Sequence, residues 1–563
     1  MARIYRNPNR PVVDVPKLDL LTFLFETEHC VAQDDTVLHL EASNPSNKIA
    51  KKDLLDLTQR IAHGLRHHYG VGANGPNTDV ITVISYGQPL VPAAFYGTIA
   101  AGGVYSAASP SSTVADLARQ VSVGTSRLII CGSEHKDLAT QAAKQCNLSL
   151  ERILVLESSP SWSLTSLDGR INVISDQTVK WERITDPTAL RKSLIVILWS
   201  SGTTGLPKGV MLSHENLVQE TFVTSVAGRE WAAKQVEAGK ELKPYRTLAH
   251  LPISHIAGLF GYLVAPFYSG GLVVWMRKYE WSQLLKYMKE YEITAFYTVP
   301  SIYLRISKAP EVQDHFRSLD AATTGAAPMD GDLQTAANAK LGQGETFIGQ
   351  TWGLSETTGA VTMMPRGQSD ITGSISPILP NVEISRMVDE NFNDVEPGQE
   401  GEMLVRSPLV TQGYFNNPQA TKDAFHDGWF CTGDIGVLRD GKFYIVDRKK
   451  ELLKYKGLQV APAEIENLLF THPKIQEAAV VGVNMPDDPG TDLPRAYVVA
   501  DPSQITEDEI KGFVKQRLAP YKQLRGGVVF VKELPKNAVG KYLRRELRDR
   551  AKKELGLVKP SKL

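Results

Sequence analysis

The chain has 563 residues, with 62 Lys+Arg against 62 Asp+Glu and therefore no formal net charge. A 42% hydrophobic and 22% charged composition is that of a globular protein with large buried cores, which excludes a disordered chain. The balanced charge excludes a polyelectrolyte drawn as a whole to nucleic acid or anionic lipid, and about 150 residues per domain suggests roughly three or four folding units.

The first sixteen residues, MARIYRNPNRPVVDVP, lack the apolar core of a signal peptide. Strand-like apolar runs at 79–84, 127–130, 153–156 and 194–199 alternate with helix-like patterns at 52–69 and 114–121. That alternation predicts α/β layers with largely parallel sheets. Two stretches without Asp, Glu, Lys or Arg, 85–115 and 247–276, are broken by Pro and Gly. They predict buried helix-plus-strand segments rather than spans, which need ~20 continuous apolar residues. No membrane span is expected. From about 371 to 446 short strands broken by Gly, Pro, Asn and Asp predict a compact β-barrel subdomain.

A charge-dense segment, Asp447-Arg-Lys-Lys-Glu-Leu-Leu-Lys-Tyr-Lys456, follows and is expected to hold the domain boundary. After it comes a small α+β unit. There Pro462 marks a helix start, Thr506-Glu-Asp-Glu509 forms a capping box, and 478–483 and 527–531 supply strands. The expected organisation is an N-terminal domain over 1–446, with two α/β subdomains and the β-barrel subdomain. A small mobile C-terminal α+β domain covers 447–560, with its hinge at 447–451.

Cys30, Cys131, Cys146 and Cys431 form no C-x-x-C pair and have no His at metal-ligand spacing, so free thiols are expected. Gly70-Val-Gly-Ala-Asn-Gly75 matches G-x-G-x-x-G but follows a helix and precedes a strand, the reverse of the dinucleotide context. It reads as a turn. Gly353-Leu-Ser-Glu-Thr357 fails the hydrolase elbow at its last position. The chain closes on Ser561-Lys562-Leu563, the form of a peroxisomal import address, so a peroxisomal location and an import-receptor partner are expected.

The most informative stretch is Ser200-Ser201-Gly202-Thr203-Thr204-Gly205-Leu-Pro-Lys208-Gly209, directly after an apolar strand. Small residues let backbone N–H groups and hydroxyls wrap phosphate oxygens, and Lys208 adds a point charge. It is not a Walker A loop, because no Ser or Thr follows Gly-Lys at that spacing. A Ser/Thr/Gly linker is the plain alternative; the preceding strand and the Pro-Lys-Gly exit argue against it.

This stretch resembles the phosphate loop of the adenylate-forming superfamily: acyl-CoA synthetases, 4-coumarate–CoA ligases, luciferases and peptide-synthetase adenylation domains. The rest of the family's motif series is present in order. Leu251-Pro-Ile-Ser254-His255-Ile256 resembles its substrate-side His motif, and Thr324-Gly325-Ala326-Ala-Pro328 its Gly-Ala-Ala-Pro loop. Gly349-Gln350-Thr351-Trp352-Gly353-Leu-Ser355-Glu356-Thr-Thr358 resembles the adenine and metal segment, and Gly428-Trp-Phe-Cys-Thr-Gly-Asp434-Ile435 the ribose segment. The run from Tyr444 through Arg448 to Ile465 resembles the hinge, and Pro535-Lys-Asn-Ala-Val-Gly-Lys541 the C-terminal lysine motif.

The resemblance implies an ATP- and CoA-dependent acid–thiol ligase with Mg²⁺, forming acyl-AMP and then acyl-CoA from an aryl or medium-chain carboxylic acid. It implies that Asp434 accepts from the ribose hydroxyls, that Trp352 stacks on adenine, that Ser355 donates to the α-phosphate, and that Gln350 and Thr351 lie at the nucleotide. Glu356 and Thr204 are the implied metal-associated residues. Arg448 reaches the nucleotide, and Lys541, with Lys208 and His255, serves the chemistry. Lys450 is the pivot, with Lys454, Gly457 and Gln459 on the hinge and CoA side. The implied acyl pocket is formed by Ser254, His255, Thr323, Gly325, Ala326, Thr351, Gly353, Ala360 and Val361. For the charged positions the plain alternative is a solvated side chain, and for His255 and Trp352 a core residue.

Thr351 replaces a common Gly and is expected to narrow or polarise the pocket floor. Thr323 stands where 4-coumarate ligases often carry a Lys, which weakens a hydroxycinnamate assignment. Alternatives are a luciferase-like enzyme, a carrier-protein-directed adenylate enzyme, or a non-catalytic nucleotide-binding protein. The implied acyl-CoA would feed oxidation or a secondary pathway. Local charge is uneven: residues 541–554 hold seven Lys/Arg against three Asp/Glu, and 447–456 five against two; both clusters lie in the part of the chain expected to meet ATP and CoA phosphates, with a solvated helix face as the plain alternative for 542–554.

Overall fold

The computed structural model describes residues 3–200, 207–375, 377–456, 458–485, 488–537 and 540–557. Two large sheets dominate the N-terminal part. The first has seven strands in the order Ser163–Ser166, Ile153–Glu157, Leu128–Gly132, Asp79–Ile84, Gly103–Ala107, Leu194–Ser200, Lys208–Ser213. Its five inner strands are parallel and its two edges antiparallel. The second has eight, in the order Gly359–Met363, Ile348–Leu354, Ala321–Thr324, Ala295–Thr298, Arg246–Ala249, Leu272–Trp275, Val37–Glu41, Asn44–Ala50. It too is parallel except at its edges.

Strands covered on both faces read as continuous apolar runs, and Asp79–Ile84 is buried along its whole length. One core cluster joins the two sheets, holding Ile81, Val83 and Leu198 of the first with Val273 and Trp275 of the second. Between them lies the helix Val91–Ala100, with all ten residues buried and no charge. That accounts for the uncharged stretch at 85–115: it is an interior helix followed by the interior strand Gly103–Ala107. Among the described residues no helix is long and apolar enough to cross a membrane. Gly70, at φ 65°, ends the helix Lys51–Tyr69, so the G-x-G-x-x-G match is indeed a turn.

The third sheet is antiparallel, formed by Glu383–Val388, Glu400–Arg406, Phe425–His426, Trp429–Arg439 and Lys442–Arg448. Its hydrogen bonding follows an open path on which Trp429–Arg439 pairs three partners. The boundary expected after residue 446 falls inside its last strand. Ile435 pairs with Asp447 and Asp434 with Arg448, which carries the strand to Arg448. The chain then turns, with the amides of Glu451 and Leu452 donating to the Arg448 carbonyl at 2.8 and 3.1 Å.

Beyond the turn lie the ribbon Leu453–Tyr455 and Leu458–Val460 and the three-stranded sheet Ile475–Met485, Asp488–Ala500, Val528–Phe530. The helices Pro462–Phe470, Glu507–Lys515 and Arg544–Glu554 pack around that sheet. The expected cap at Thr506 is formed, its hydroxyl accepting from the Glu509 amide while the Glu509 carboxylate accepts from the Thr506 amide. The C-terminal unit rests on the N-terminal part: Lys308 Nζ donates to the Phe470 carbonyl at 3.1 Å and also to that of Ile475.

Candidate active site

A cavity of about 1580 Å³ lies where the edges of the two large sheets, the antiparallel sheet and the C-terminal unit meet. The elements that line it come from six separate parts of the chain. The edge strands bring Ser200 and Lys208, paired across neighbouring backbones. The end of Arg246–Ala249 leads into Ser254 and His255, and Ala321–Thr324 ends beside Ala326. The hairpin Ile348–Leu354/Gly359–Met363 brings Thr351, Gly353, Ser355, Glu356 and Ala360. Arg448 and Lys450 come from the last strand and its turn, and Lys541 from the C-terminal unit.

Lys541 is set by a tight loop. Its amide donates to Asn537 Oδ1 at 2.9 Å, and the Asn537 amide donates back to the Lys541 carbonyl at 2.9 Å. Gly540, at φ 79°, lies close against Val299 and Ser301 of the N-terminal part. Burial lowers the ammonium from its ordinary 10.5 to about 8. Arg448 pushes the same way, and Asp434 and Glu356 oppose it. The C-terminal lysine therefore stands within electrostatic reach of the residues expected to hold the nucleotide and metal.

His255 precedes the short helix Ile256–Leu259, and its Nδ1 accepts from the Ala257 amide at 3.2 Å. The ring proton is thereby assigned to Nε2. Burial, then Lys541 and Arg448, hold this imidazole down at about 3. It is a neutral donor at physiological pH, within electrostatic reach of Lys541 and Arg448.

Asp434 is fixed from both sides. Arg448 Nε lies 2.9 Å from Oδ1, and Trp352 Nε1 donates to Oδ2 at 2.8 Å. Trp352 is only 7% exposed and belongs to the core joining the two sheets. The expected stacking platform is thus a buried support for the carboxylate, because its indole N–H needs a partner and Asp434 supplies it. Both side chains are nearly buried, next to Gly433 and Arg448, which line the cavity. Each carboxylate oxygen keeps a further acceptor site for a ribose hydroxyl.

Glu356 Oε1 accepts from the Tyr414 hydroxyl at 3.0 Å, while Oε2 has no hydrogen-bond partner among the described residues. Lys208 Nζ stands 4.8 Å from the centre of the Tyr414 ring. Burial and Glu356 raise the Tyr414 phenol, which stays a donor.

Several expected residues stand elsewhere. Gln350 is buried and bonded through both side-chain ends to the Met329 backbone, at 3.2 and 2.9 Å, so it holds the loop after Thr324 rather than a ligand. Val361 is fully buried core. Gly325 lies behind the wall, where a Cβ would sit 2.7 Å from the Tyr297 hydroxyl and 3.0 Å from Thr351 Cγ2. Thr351 narrows the floor without polarising it, since its hydroxyl donates to the Thr362 carbonyl at 2.6 Å. Thr323 lines the cavity as expected. Lys454 and Gln459 are exposed on the ribbon, away from the cavity. Ser201, Gly202, Thr203, Thr204, Gly205, Gly457, Ser561, Lys562 and Leu563 lie outside the described residues.

The basic helix Arg544–Glu554 is also less available than its charge suggests. Arg544 pairs with Glu466 at 2.6 Å, Arg548 with Glu451 at 3.3 Å and Arg550 with Glu554 at 2.7 Å. Tyr414 and Glu220, both on the cavity wall, escaped the sequence reading. The Gly-Tyr-Phe run at 413–415 was the one available signal for the first.

Two parallel α/β sheets, an antiparallel sheet and a small unit that delivers a lysine into their shared cavity define a class of two-part nucleotide-dependent enzymes. Two family models match the chain: AMP-binding enzyme over residues 29–415 and AMP-binding enzyme C-terminal domain over 464–541. The chain belongs to the AMP-binding enzyme family, within the adenylate-forming superfamily. It is similar to a putative acyl-coenzyme A synthetase of Emericella nidulans, 47% identical over 547 residues, covering 96% of this chain and 98% of the relative. A phenylacetyl-CoA ligase of Aspergillus niger is 33% identical over 554 residues, covering 96% and 98%. Among solved structures, ATP-bound MatB from Rhodopseudomonas palustris has a TM-score of 0.79 at 25% identity, covering 95% of this chain and 99% of MatB. The protein is an acid–thiol ligase of the acyl-CoA synthetase type, using ATP and CoA.

Proposed function

We propose that this ligase activates an aryl or medium-chain carboxylic acid and that the cavity residues divide the work as follows. In the first step a substrate carboxylate oxygen attacks the α-phosphorus of ATP, forming acyl-AMP and releasing pyrophosphate. In the second the CoA thiol adds to the acyl carbonyl and AMP leaves. No protein nucleophile is needed; the protein contributes positioning and charge stabilisation. Lys541 bridges the carboxylate and the α-phosphate, with Lys208 and Ser355 on the phosphates and neutral His255 donating beside the carboxylate. Asp434 and Arg448 take the ribose. The observation that carries this reading is the entry of Lys541 into the same cavity as His255, Arg448 and Glu356.

Glu356 is a single carboxylate with one oxygen uncommitted, which fits Mg²⁺ held by one or two carboxylates and substrate phosphates. Among the described residues no cluster of three or more His, Cys, Asp or Glu offers a protein-only metal site. When bound, the ion would neutralise phosphate charge; Thr204 is its other proposed contact.

The small wall residues Thr323, Ala326, Gly353 and Ala360 support an aryl or medium-chain acyl group, and the phenylacetyl specificity named for the Aspergillus niger relative agrees with the aryl choice. A pyrophosphate-release screen over carboxylic acids, with and without CoA, tests the assignment. Acid-dependent release with acyl-CoA formation supports it; release confined to aliphatic acids longer than about twelve carbons overturns the substrate class. Import into peroxisomes is proposed from Ser561-Lys562-Leu563 alone, with supply of acyl-CoA to oxidation or secondary metabolism. Loss of peroxisomal fluorescence when Leu563 is deleted from a fusion tagged at its N-terminus tests it.

A further inference from the structure

Glu220 sits on the long helix His214–Glu237, which leaves the first sheet directly after the strand Lys208–Ser213. It lines the cavity yet is only 1% exposed. Its Oε1 accepts from the Ala360 amide at 2.7 Å. The chain admits the carboxyl there because residue 359 is glycine: at φ 135°, a Cβ would lie 2.6 Å from Oε1. Oε2 is buried and has no hydrogen-bond partner among the described residues.

Burial pushes this carboxyl well above the usual carboxylate range, and the single Ala360 contact only partly opposes it. A protonated carboxyl with Oε1 accepting carries its hydrogen on Oε2. The polar neighbours on the same helix are already spent. The Thr221 hydroxyl donates to the Leu217 carbonyl at 2.6 Å, Thr224 to Glu220 at 2.6 Å and Ser225 to Phe222 at 2.7 Å. On the facing wall Gly353, Gly359 and Ala360 have no polar side-chain atoms. Glu220 Oε2 is thus a buried donor without a partner among the described residues, on the part of the wall it shares with Gly353, Gly359 and Ala360. A buried donor left unpaired is costly, and a ligand oxygen that accepts from it removes that cost.

We propose that Glu220 is a specificity-determining residue: its Oε2 hydrogen-bonds an oxygen carried on the acyl group of the substrate, away from the reacting carboxylate. The inference rests on the ligase reading above and narrows it to acids bearing a hydroxyl, ether or keto oxygen. A site built to hydrogen-bond such a group discriminates strongly against the analogue that lacks it.

The test compares kcat/KM for pyrophosphate release over matched pairs: phenylacetate with its three hydroxyphenylacetates, and hexanoate and octanoate with their ω-hydroxy and keto derivatives. Wild-type enzyme, Glu220→Gln and Glu220→Leu are used, with thermal melting and ATP binding to confirm folding. The expected result is a wild-type preference of about tenfold or more for the oxygenated member of at least one pair. Glu220→Gln keeps an N–H donor and retains part of the preference, and Glu220→Leu abolishes or inverts it. A wild-type ratio that Glu220→Leu leaves unchanged in every pair overturns the role of Glu220 while leaving the ligase reading intact. Acid-independent or absent pyrophosphate release from the wild type overturns the parent reading and this one with it.

Discussion

Arg448 and Asp434 face each other in register across adjacent antiparallel strands, with Nε 2.9 Å from Oδ1. Arg448 is also the last strand residue before the chain turns into the C-terminal unit. The residue that closes on the Asp434 carboxylate is therefore the one from which the small unit departs. Asp434 raises the Arg448 guanidinium further, more than burial lowers it, so the guanidinium is held charged. Asp434→Ala removes the acceptor and leaves that cation without its partner. A hydrogen bond to a charged group contributes about 1.5–3 kcal/mol, so KM for ATP is expected to rise about 10- to 100-fold in steady-state assays. Trp352→Phe keeps an aromatic ring but removes the Nε1 donor. If Trp352 acts by holding Asp434, this variant also raises KM for ATP; a pure stacking role predicts no change.

Tyr414→Phe removes the hydroxyl that donates to Glu356 and keeps the ring beneath Lys208. The carboxylate then loses its anchor, and the apparent Mg²⁺ requirement is expected to rise about three- to tenfold. Titrating pyrophosphate release against Mg²⁺ reads this directly. An unchanged Mg²⁺ curve with a fallen kcat would assign Tyr414 to Lys208 instead.

Lys541 has the clearest pH signature. Its ammonium titrates at about 8, below the ordinary 10.5, so the charge proposed to serve adenylation is present below about pH 8 and lost above it. kcat/KM for ATP, which reports the free enzyme, is expected to fall as pH rises through that value. For stability the sign reverses. Between about pH 8 and 10.5 the unfolded chain binds more protons than the folded one, so this group's contribution to stability improves with rising pH and is least favourable below 8. Lys541→Met is accordingly expected to raise the melting temperature of the ligand-free enzyme at pH 7, measured by calorimetry.

Lys450→Pro tests the turn. The Lys450 amide makes no backbone hydrogen bond among the described residues, while those of Glu451 and Leu452 do. Proline there removes no bond but fixes φ. Adenylate formation is expected to persist and CoA-dependent turnover to drop by at least tenfold in rapid-quench assays. Normal turnover would move the pivot elsewhere.

Much of this site was legible because its residues come in short runs. The segment 349–358 places Thr351, Gly353, Ser355 and Glu356 on one hairpin, and the alternating patterns located four strands of the first sheet to within a residue or two while leaving the second sheet unread. What escaped depends on contacts between distant segments. Glu220 meets Ala360 across 140 residues, and Tyr414 meets Glu356 across 58. No local pattern marks Glu220, and only the short Gly-Tyr-Phe run at 413–415 marks Tyr414. Gln350 and Trp352 show the converse: motif position suggested ligand contact, but burial turned one toward the Met329 backbone and the other toward Asp434. The basic helix misled for a related reason, since composition counts charges without showing that Glu466 and Glu451 already neutralise Arg544 and Arg548.

In the proposed function the C-terminal unit serves adenylation by delivering Lys541 into the N-terminal cavity. The most direct test is a half-reaction comparison of wild type and Lys541→Ala. Removing one group that stabilises developing charge costs about 10²–10³ in rate, so acid-dependent pyrophosphate release should fall at least that far. Synthetic acyl-AMP should still react with CoA at a rate within a few fold of wild type. Equal loss of both half-reactions, or undiminished pyrophosphate release, would contradict the account.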